Sequence, residues 1–297
     1  MQVAISGGLG FIGHHIGIKL RELGHEVIAI DNFAFGRKAW HDNRIMTEPY
    51  DHLISLPVQN LDSIDKGYTF FNKPDVIVHL ASHPNQAAFD ADPAEAWANS
   101  VTATDTVAAY CARNNVKMVY ISSSMVYGNW TGDVREDTPL RPINAYGRMK
   151  RYGEQIVQEM VKNYVIIRPI SVYGPRDNPH RLIAKWVDAA KLEQPLHVHD
   201  PKATLDFTHV YDLVEALSWA TLHPVPNEII NVGSGTATTL LDAAELVLKI
   251  TRSTSEIICG NSVPDGMPRR GALDIRKAVQ YLNYKPQWDL THGLQTV

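Results

Sequence analysis

The segment Gly7-Gly8-Leu9-Gly10-Phe11-Ile12-Gly13 constrains this chain more than any other, because of what flanks it. Val3-Ala4-Ile5 before it has the character of a buried strand, and after it an amphipathic helical pattern runs through Leu20 and Leu23 to Gly24, a residue suited to ending a helix. Val27-Ile28-Ala29-Ile30 then reads as a second strand, finishing at Asp31. Strand, glycine turn, helix and strand make a βαβ unit. Gly7, Gly10 and Gly13 allow a tight turn, close backbone approach to a pyrophosphate and close helix packing, and the helix amino terminus favours the anion. Asp31 lies where an acidic residue accepts from the ribose 2′-hydroxyl of a dinucleotide. Its carboxylate repels a 2′-phosphate, which favours NAD over NADP, although Arg37 and Lys38 follow closely enough to attract that phosphate.

The alternation continues downstream. Ile54 to Val58 and Val76 to Leu80 read as strands, a helix spans about Ala94 to Asn114, Met118 to Ile121 is a strand, a helix carrying Tyr146 runs to about Lys162, and Val165 to Ile167 is another strand. Strands alternating with helices of this length predict an α/β fold with a doubly wound, Rossmann-like parallel sheet whose ligands sit outside the carboxyl ends of the strands. Asn60, Ala81, Ser82, Ser123 and Ile170 fall at or just past such ends and converge on one crevice. After Pro169 the rhythm breaks: a loop-like stretch to Asn178, a helix over Leu182 to Leu192 and a short strand over His197 to His199. The expected organisation is an NAD-binding domain over residues 1–169, to which 206–232 return, and a smaller, discontinuous substrate lobe over most of 170–297 that closes over the crevice.

Two segments carry the chemistry. Ile121 to Gly128 ends a strand and presents serine hydroxyls, and Tyr146-Gly147-Arg148-Met149-Lys150 puts a tyrosine and a lysine at i and i+4 on one helix face. A lysine ammonium near a phenol favours the phenolate, so the tyrosine can take a hydroxyl proton near neutral pH while a serine holds the same oxygen. That set suits redox chemistry on an alcohol.

Composition narrows the alternatives. At 297 residues, with 44% hydrophobic and 20% charged residues, the chain has the make-up of a globular protein with a substantial core. A net charge of −4 gives no footprint for nucleic acid or an anionic membrane. Cys111 and Cys259 are too few for a disulfide framework or a cysteine zinc site. His14-His15 are helix neighbours, and His197-x-His199 lacks a nearby third ligand, so no metal is expected. Without a leader pattern or a membrane-spanning run, the expected setting is cytoplasmic.

Taken together, Gly7 to Gly13, Asp31-Asn32, His79-Leu80-Ala81, Asn99, Ser122 to Gly128, Tyr146 to Lys150, Arg168-Pro169, Val172 to Arg176, Asp206 to Val210, Asn231 to Gly235 and Asp274 to Ala278 resemble an extended short-chain dehydrogenase/reductase. Within it the chain is similar to the NAD-dependent epimerase/dehydratase family, and most of all to UDP-galactose 4-epimerases. The resemblance implies that Phe11 and Ile12 lie at the pyrophosphate, Asp31 and Asn32 at the adenosine ribose, and Asn60 with Leu61 at the adenine. It places Leu80, Ala81, Ser82 and Asn99 along the cofactor channel and Ile170 near the nicotinamide. It makes Ser123, rather than Ser124, the catalytic hydroxyl, Tyr146 the base, and Lys150 its electrostatic partner and ribose anchor. It further implies a nucleotide-sugar substrate, epimerisation at C4 through a keto intermediate with NAD kept bound, and a homodimer.

Departures from the family pattern bear on the reaction and the substrate. Dehydratases follow the catalytic hydroxyl with an Asp-Glu pair; Ser124 and Met125 stand there, and decarboxylases usually have Glu at the second of these positions. Two arginines that hold the substrate diphosphate are replaced by Leu205 and Pro264, and Ser171 stands where many members have Asn. Lys202, Arg176, Arg181, Arg269 and Arg270 are candidate replacements, since a diphosphate buried without cations is costly and arginine suits phosphate. Arg181, Arg270 and Ser171 are the expected substrate contacts beside Ser123 and Tyr146. An NAD-dependent dehydrogenase or reductase of another alcohol or ketone is the second reading, and a non-catalytic NAD-binding regulatory protein the third.

Overall fold

The computed structural model describes residues 1–33, 50–71, 73–83, 86–262, 265 and 267–297. The described residues form a seven-stranded, entirely parallel sheet from β1 (Gln2–Ser6), β2 (Glu26–Ile30), β3 (His52–Ile54), β4 (Val76–His79), β5 (Lys117–Ile121), β6 (Tyr164–Pro169) and β7 (Glu228–Val232), in the spatial order β7-β6-β5-β4-β1-β2-β3. The order reverses between β1 and β4, and in open α/β sheets that reversal opens a crevice at the strands' carboxyl ends. These strands are nearly continuous Val, Ile and Ala runs because helices cover both faces. On one face α1 (Phe11–Glu22) and the late helix Val210–Leu222 pack through Ile16, Leu20, Val210, Leu213 and Leu217, all fully buried. On the other, Ile64, Val107, Tyr110 and Val157 come from the helices Leu61–Gly67, Ala103–Asn114 and Ala145–Met160.

A third apolar cluster gathers Tyr173, Ile183, Trp186, Leu196, Val198, Phe207, Val247 and Leu294, well apart in sequence from the first strands. Its helices are Leu182–Lys191 and Leu240–Thr251, and short strand pairs frame it: Leu196–Val198 with Ile257–Cys259, and Thr204–Asp206 with Ala237–Thr239. A further pair, Asp133–Val134 with Ala272–Leu273, ties the segment that carries Arg270 to the loop following β5. No helix among the described residues is long and apolar enough to cross a membrane.

Two elements differ from the sequence expectation. The strand expected over Ile54 to Val58 is His52–Ile54, and Val58–Asn60 is a 3-10 turn. Pro57, at φ −64°, has no N–H for a sheet ladder and starts that turn. The helix expected over Ala94 to Asn114 has a π turn at Ala98–Thr102 between Pro93–Trp97 and Ala103–Asn114, and the turn carries Asn99. Such bulges re-aim side chains and recur at functional sites.

Candidate active site

The glycine turn is as tight as its sequence demands. Gly7 has φ +71°, and a Cβ there would lie 2.7 Å from the Ala81 nitrogen, so β1 and the Leu80-Ala81-Ser82 turn after β4 meet backbone to backbone. A Cβ on Gly13 would sit 2.4 Å from the Gly7 carbonyl oxygen, which is how α1 packs hard under the turn. Gly10, by contrast, has only the Gly7 carbonyl near its missing Cβ, and it caps α1 without any side-chain hydrogen bond; the first helical turn has no acidic residue. Phe11 and Ile12 therefore begin a helix whose positive end is open to an anion. Tyr50, missed by sequence reasoning, donates its hydroxyl to the Gly8 carbonyl and braces the turn.

Asp31 closes the same corner. Its carboxylate accepts from the Leu9 N–H at 3.0 Å and the Phe33 N–H at 2.8 Å, which fixes it beside the glycine turn. Burial pushes its pKa up, and those two N–H groups pull it back. Asn32 donates to Asn99 across 3.3 Å, so the π turn is drawn to the end of β2, and Asn60 is exposed at the end of its 3-10 turn. Cradle, acid and amides fit a dinucleotide. Arg37 and Lys38 lie outside the described residues. Given the carboxylate at this corner, NAD should bind at least about 100-fold more tightly than NADP, since facing like charges costs several kcal/mol. Titration calorimetry checks this, and equal affinities would contradict the assignment.

Two of the expected cofactor contacts have side chains that turn inward. Leu61 is 0% exposed, packed in the core beneath the 3-10 turn with Val58 and Ile64. Ile170, directly after β6, is 1% exposed and packs with Val126, Tyr127 and Leu273. Leu80, Ala81, Ser82 and Asn99 keep partial exposure. His83 is buried, its N–H donating to the Ser100 hydroxyl, and does not face the cleft.

The chemistry-bearing residues meet where β5 ends against the helix Ala145–Met160. That helix is capped by Asn144, whose side chain accepts from the Gly147 N–H at 2.8 Å. A Cβ on Gly147 would lie 2.6 Å from the Met125 carbonyl oxygen, so glycine at this position lets the helix close on the turn after Ser123. The Ser123 hydroxyl hydrogen-bonds the Tyr146 phenol and also accepts from the Met125 N–H. Lys150, buried, donates to the Ile121 carbonyl at 2.8 Å, with its Nζ 5.9 Å from the centre of the Tyr146 ring. Burial pushes the phenol of Tyr146 up; the Arg181 guanidinium and the Ser123 hydrogen bond pull it back. The lysine ammonium is itself pushed down by burial, to about 7, against the pull of Glu154. Arg181, from far along the chain, joins Lys150 as a cation that bears on Tyr146.

The candidate substrate cations sort by environment. Arg270 is 7% exposed, and its Nε is buried without a hydrogen-bond partner among the described residues. Burial pushes this guanidinium down to about 10, helped by Arg181 and opposed by Asp206. Arg181 acts electrostatically on both Arg270 and Tyr146 and is paired at 3.5 Å with Asp177, whose carboxyl is pushed up to about 6 by burial against that same arginine. Arg176 turns away to His14, Arg269 lies 3.7 Å from Asp200 at the surface, and Lys202 is exposed. Leu205 is half-buried beside Asp206, and Pro264 lies outside the described residues. Ser171, two residues past β6, has φ 36°, a backbone that asparagine accepts more readily than serine. Among the described residues no group of three or more His, Cys, Asp or Glu is placed to hold a metal ion; His15 bonds the Pro175 carbonyl.

Known proteins share this layout. A model of the NAD dependent epimerase/dehydratase family matches residues 3–233. The chain is similar to the uncharacterized UDP-glucose epimerase YtcB of Bacillus subtilis (strain 168), 28% identical over 322 residues covering 99% of this chain and 96% of that protein. It is also similar to UDP-glucuronic acid decarboxylase 1 of Arabidopsis thaliana, 28% identical over 310 residues covering 99% and 68%. Among solved structures, the UDP-glucuronic acid 4-epimerase from Bacillus cereus, crystallised with UDP-glucuronic acid and NAD, superposes with a TM-score of 0.88 at 28% identity, covering 100% of this chain and 97% of that one. The match takes in the glycine cradle, Asp31 and the Ser123, Tyr146 and Lys150 set together, so the chain belongs to the NAD dependent epimerase/dehydratase family.

Proposed function

We propose that this protein is an NAD-dependent nucleotide-sugar epimerase acting at C4. The observation that carries the reading is the hydrogen-bonded Ser123 and Tyr146 pair beside a buried Lys150, with a buried arginine, Arg270, whose Nε has no hydrogen-bond partner among the described residues. Tyr146 takes the proton from the sugar C4 hydroxyl, and Ser123 holds the same oxygen. NAD, when bound, supplies a reversible hydride acceptor for that carbon. The ketone then turns within the site, and Tyr146 gives its proton back to the alcohol of inverted configuration. Arg181 and Lys150 favour the phenolate against the burial that raises its pKa, and Arg270 meets the diphosphate.

Relatives with other reactions favour epimerisation less. A dehydratase needs an acid and base after the catalytic hydroxyl, which Ser124 and Met125 do not supply, and Met125 stands where decarboxylases of the family usually have Glu. A net dehydrogenase of another alcohol is supported by one feature, the apolar Leu205 at a position where a diphosphate cation is usual. Incubation with NAD and a panel of uridine diphosphate sugars separates these readings. Interconversion of a C4 pair supports epimerisation, whereas net cofactor reduction on a simple alcohol, with no nucleotide sugar accepted, contradicts it.

A further inference from the structure

We infer that the buried Glu154–Arg168 pair is the positioning device of this site: it locks the strand end bearing Ser123 to the helix bearing Tyr146 and Lys150, and gives Lys150 its counter-charge. The inference rests on the proposed roles of those three residues. Its geometric basis is a set of three stitches between consecutive residues of one strand end and one helix face. The Ile121 carbonyl accepts from Lys150, the Ser122 hydroxyl donates to Glu154, and the Ser123 hydroxyl meets Tyr146. Tyr146, Lys150 and Glu154 follow each other at intervals of four, so they share a face of the helix. Glu154 is thus the third member of a row whose first two members do the chemistry.

Arg168, on β6, holds the far side of that carboxylate. Its Nε donates to Oε1 at 2.8 Å and its Nη2 to Oε2 at 2.7 Å, a bidentate pair in which both side chains are about 2% exposed. Its Nη1 donates to the Tyr127 hydroxyl at 2.8 Å and the Glu136 carbonyl at 3.2 Å, and the Tyr127 hydroxyl donates in turn to the Asn231 Oδ1 on β7 at 2.7 Å. One network therefore joins β5, β6, β7 and the catalytic helix. Stability alone is a poor reason for it, because a buried ion pair is often matched or bettered by apolar side chains of the same volume. What an apolar substitute would lack is directional hold on Ser122, one residue from the catalytic hydroxyl, and a negative charge beside Lys150.

Among the described residues, Glu154 is the carboxylate that acts on Lys150. Tyr146 shares its helix, and the Tyr120 ring on β5 lies 5.4 Å from Nζ. His79 on β4 is pushed down to about 3 by burial and by Lys150, so it is neutral. Arg168 is taken up by Glu154, and Arg181 acts on the Tyr146 side. Apart from Tyr146 when its phenol is ionised, Glu154 is the negative group among these, and it opposes the burial that strips the lysine of its proton.

The test compares Glu154→Gln, Ser122→Ala and Tyr146→Phe by two readouts: the pH profile of kcat, and NMR titration of isotope-labelled lysine side chains, with Lys150→Met assigning the signal. Losing the carboxylate charge should lower the Lys150 midpoint by about one pH unit or more. The alkaline limb of kcat should move down with it, since Lys150 then sheds its proton earlier, and kcat at the optimum should fall on the order of tenfold. Ser122→Ala should lower kcat and leave the midpoint in place. A midpoint and limb unmoved in Glu154→Gln would overturn the inference, whatever happens to the melting temperature. If Glu154→Gln does not fold, Glu154→Asp, which draws the charge back by one methylene, carries the same comparison: a lowered midpoint supports the inference and an unchanged one overturns it. A Tyr146→Phe enzyme that stays active would defeat the proposed function instead, and the lysine titration would still read the effect of Glu154.

Discussion

Tyr146→Phe should retain NAD with unchanged affinity and lose turnover by about 10²- to 10⁴-fold, the usual contribution of a positioned general base. The substitution removes one oxygen. The ring stays packed against the cluster of Ala96, Val101 and Met149, and the helix keeps its Asn144 cap and its close approach at Gly147. The Ser123 hydroxyl loses a partner but keeps the Met125 N–H. Cofactor affinity belongs to the glycine cradle and Asp31, on strands that the phenol does not touch. Steady-state kinetics beside calorimetric NAD titration separates the two effects. A variant running at near-normal rate would show that Tyr146 is not the base.

Arg270→Ala should have its effect on the other side of the crevice. A guanidinium that is 7% exposed, without a carboxylate partner among the described residues, is held there at the expense of its hydration, and a dianionic ligand would offset that. Truncating one side of such a contact costs roughly 2–5 kcal/mol, which is about 30- to 5,000-fold in KM for the nucleotide sugar. NAD affinity should not change. Folding should be unharmed or improved, because the variant no longer buries a charge that burial already pushes toward deprotonation. Kinetics unchanged on every accepted nucleotide sugar would move the diphosphate contact to Arg181.

Much of this layout was legible in the chain because the physics that sets it is local. The Gly7, Gly10 and Gly13 spacing, the terminal Asp31 and the i, i+4 relation of Tyr146 and Lys150 each follow from one element and its turn. The parallel sheet followed from the strand and helix rhythm, down to the return of Glu228–Val232 beside β6. Side-chain direction was less legible, because it depends on tertiary packing. Leu61 and Ile170 sit near strand ends in sequence, yet one faces the core below its turn and the other the cluster around Tyr127. Pro57 was a visible signal that the strand expected to reach Val58 had to stop earlier.

Electrostatics was the least legible layer, since it depends on partners far away in the chain. Arg181 reaches Tyr146 from the amino terminus of a helix in the carboxyl-terminal part, and nothing local distinguishes it from Arg176, which faces His14 instead. Glu154 did leave a trace. A carboxylate four residues beyond Lys150, on the face that the helix buries, needs a cation, and the matching one stands in the buried strand at Arg168. Asp206 is similar: it is fully buried and accepts from the N–H groups of Ser234, Gly235 and Leu273, which draws the Arg270 segment toward the crevice.

The central claim, reversible oxidation at C4 by one enclosed site, is tested most directly with a uridine diphosphate sugar carrying deuterium at C4. The protein is incubated with NAD in ordinary water, and the sugar is analysed by NMR and mass spectrometry. The account predicts the C4 epimer with deuterium retained at C4 and no net reduction of the cofactor, because the hydrogen leaves and returns to the same carbon without meeting solvent. Product that has lost the label to water, or reduced cofactor accumulating in step with a released ketone, would contradict it.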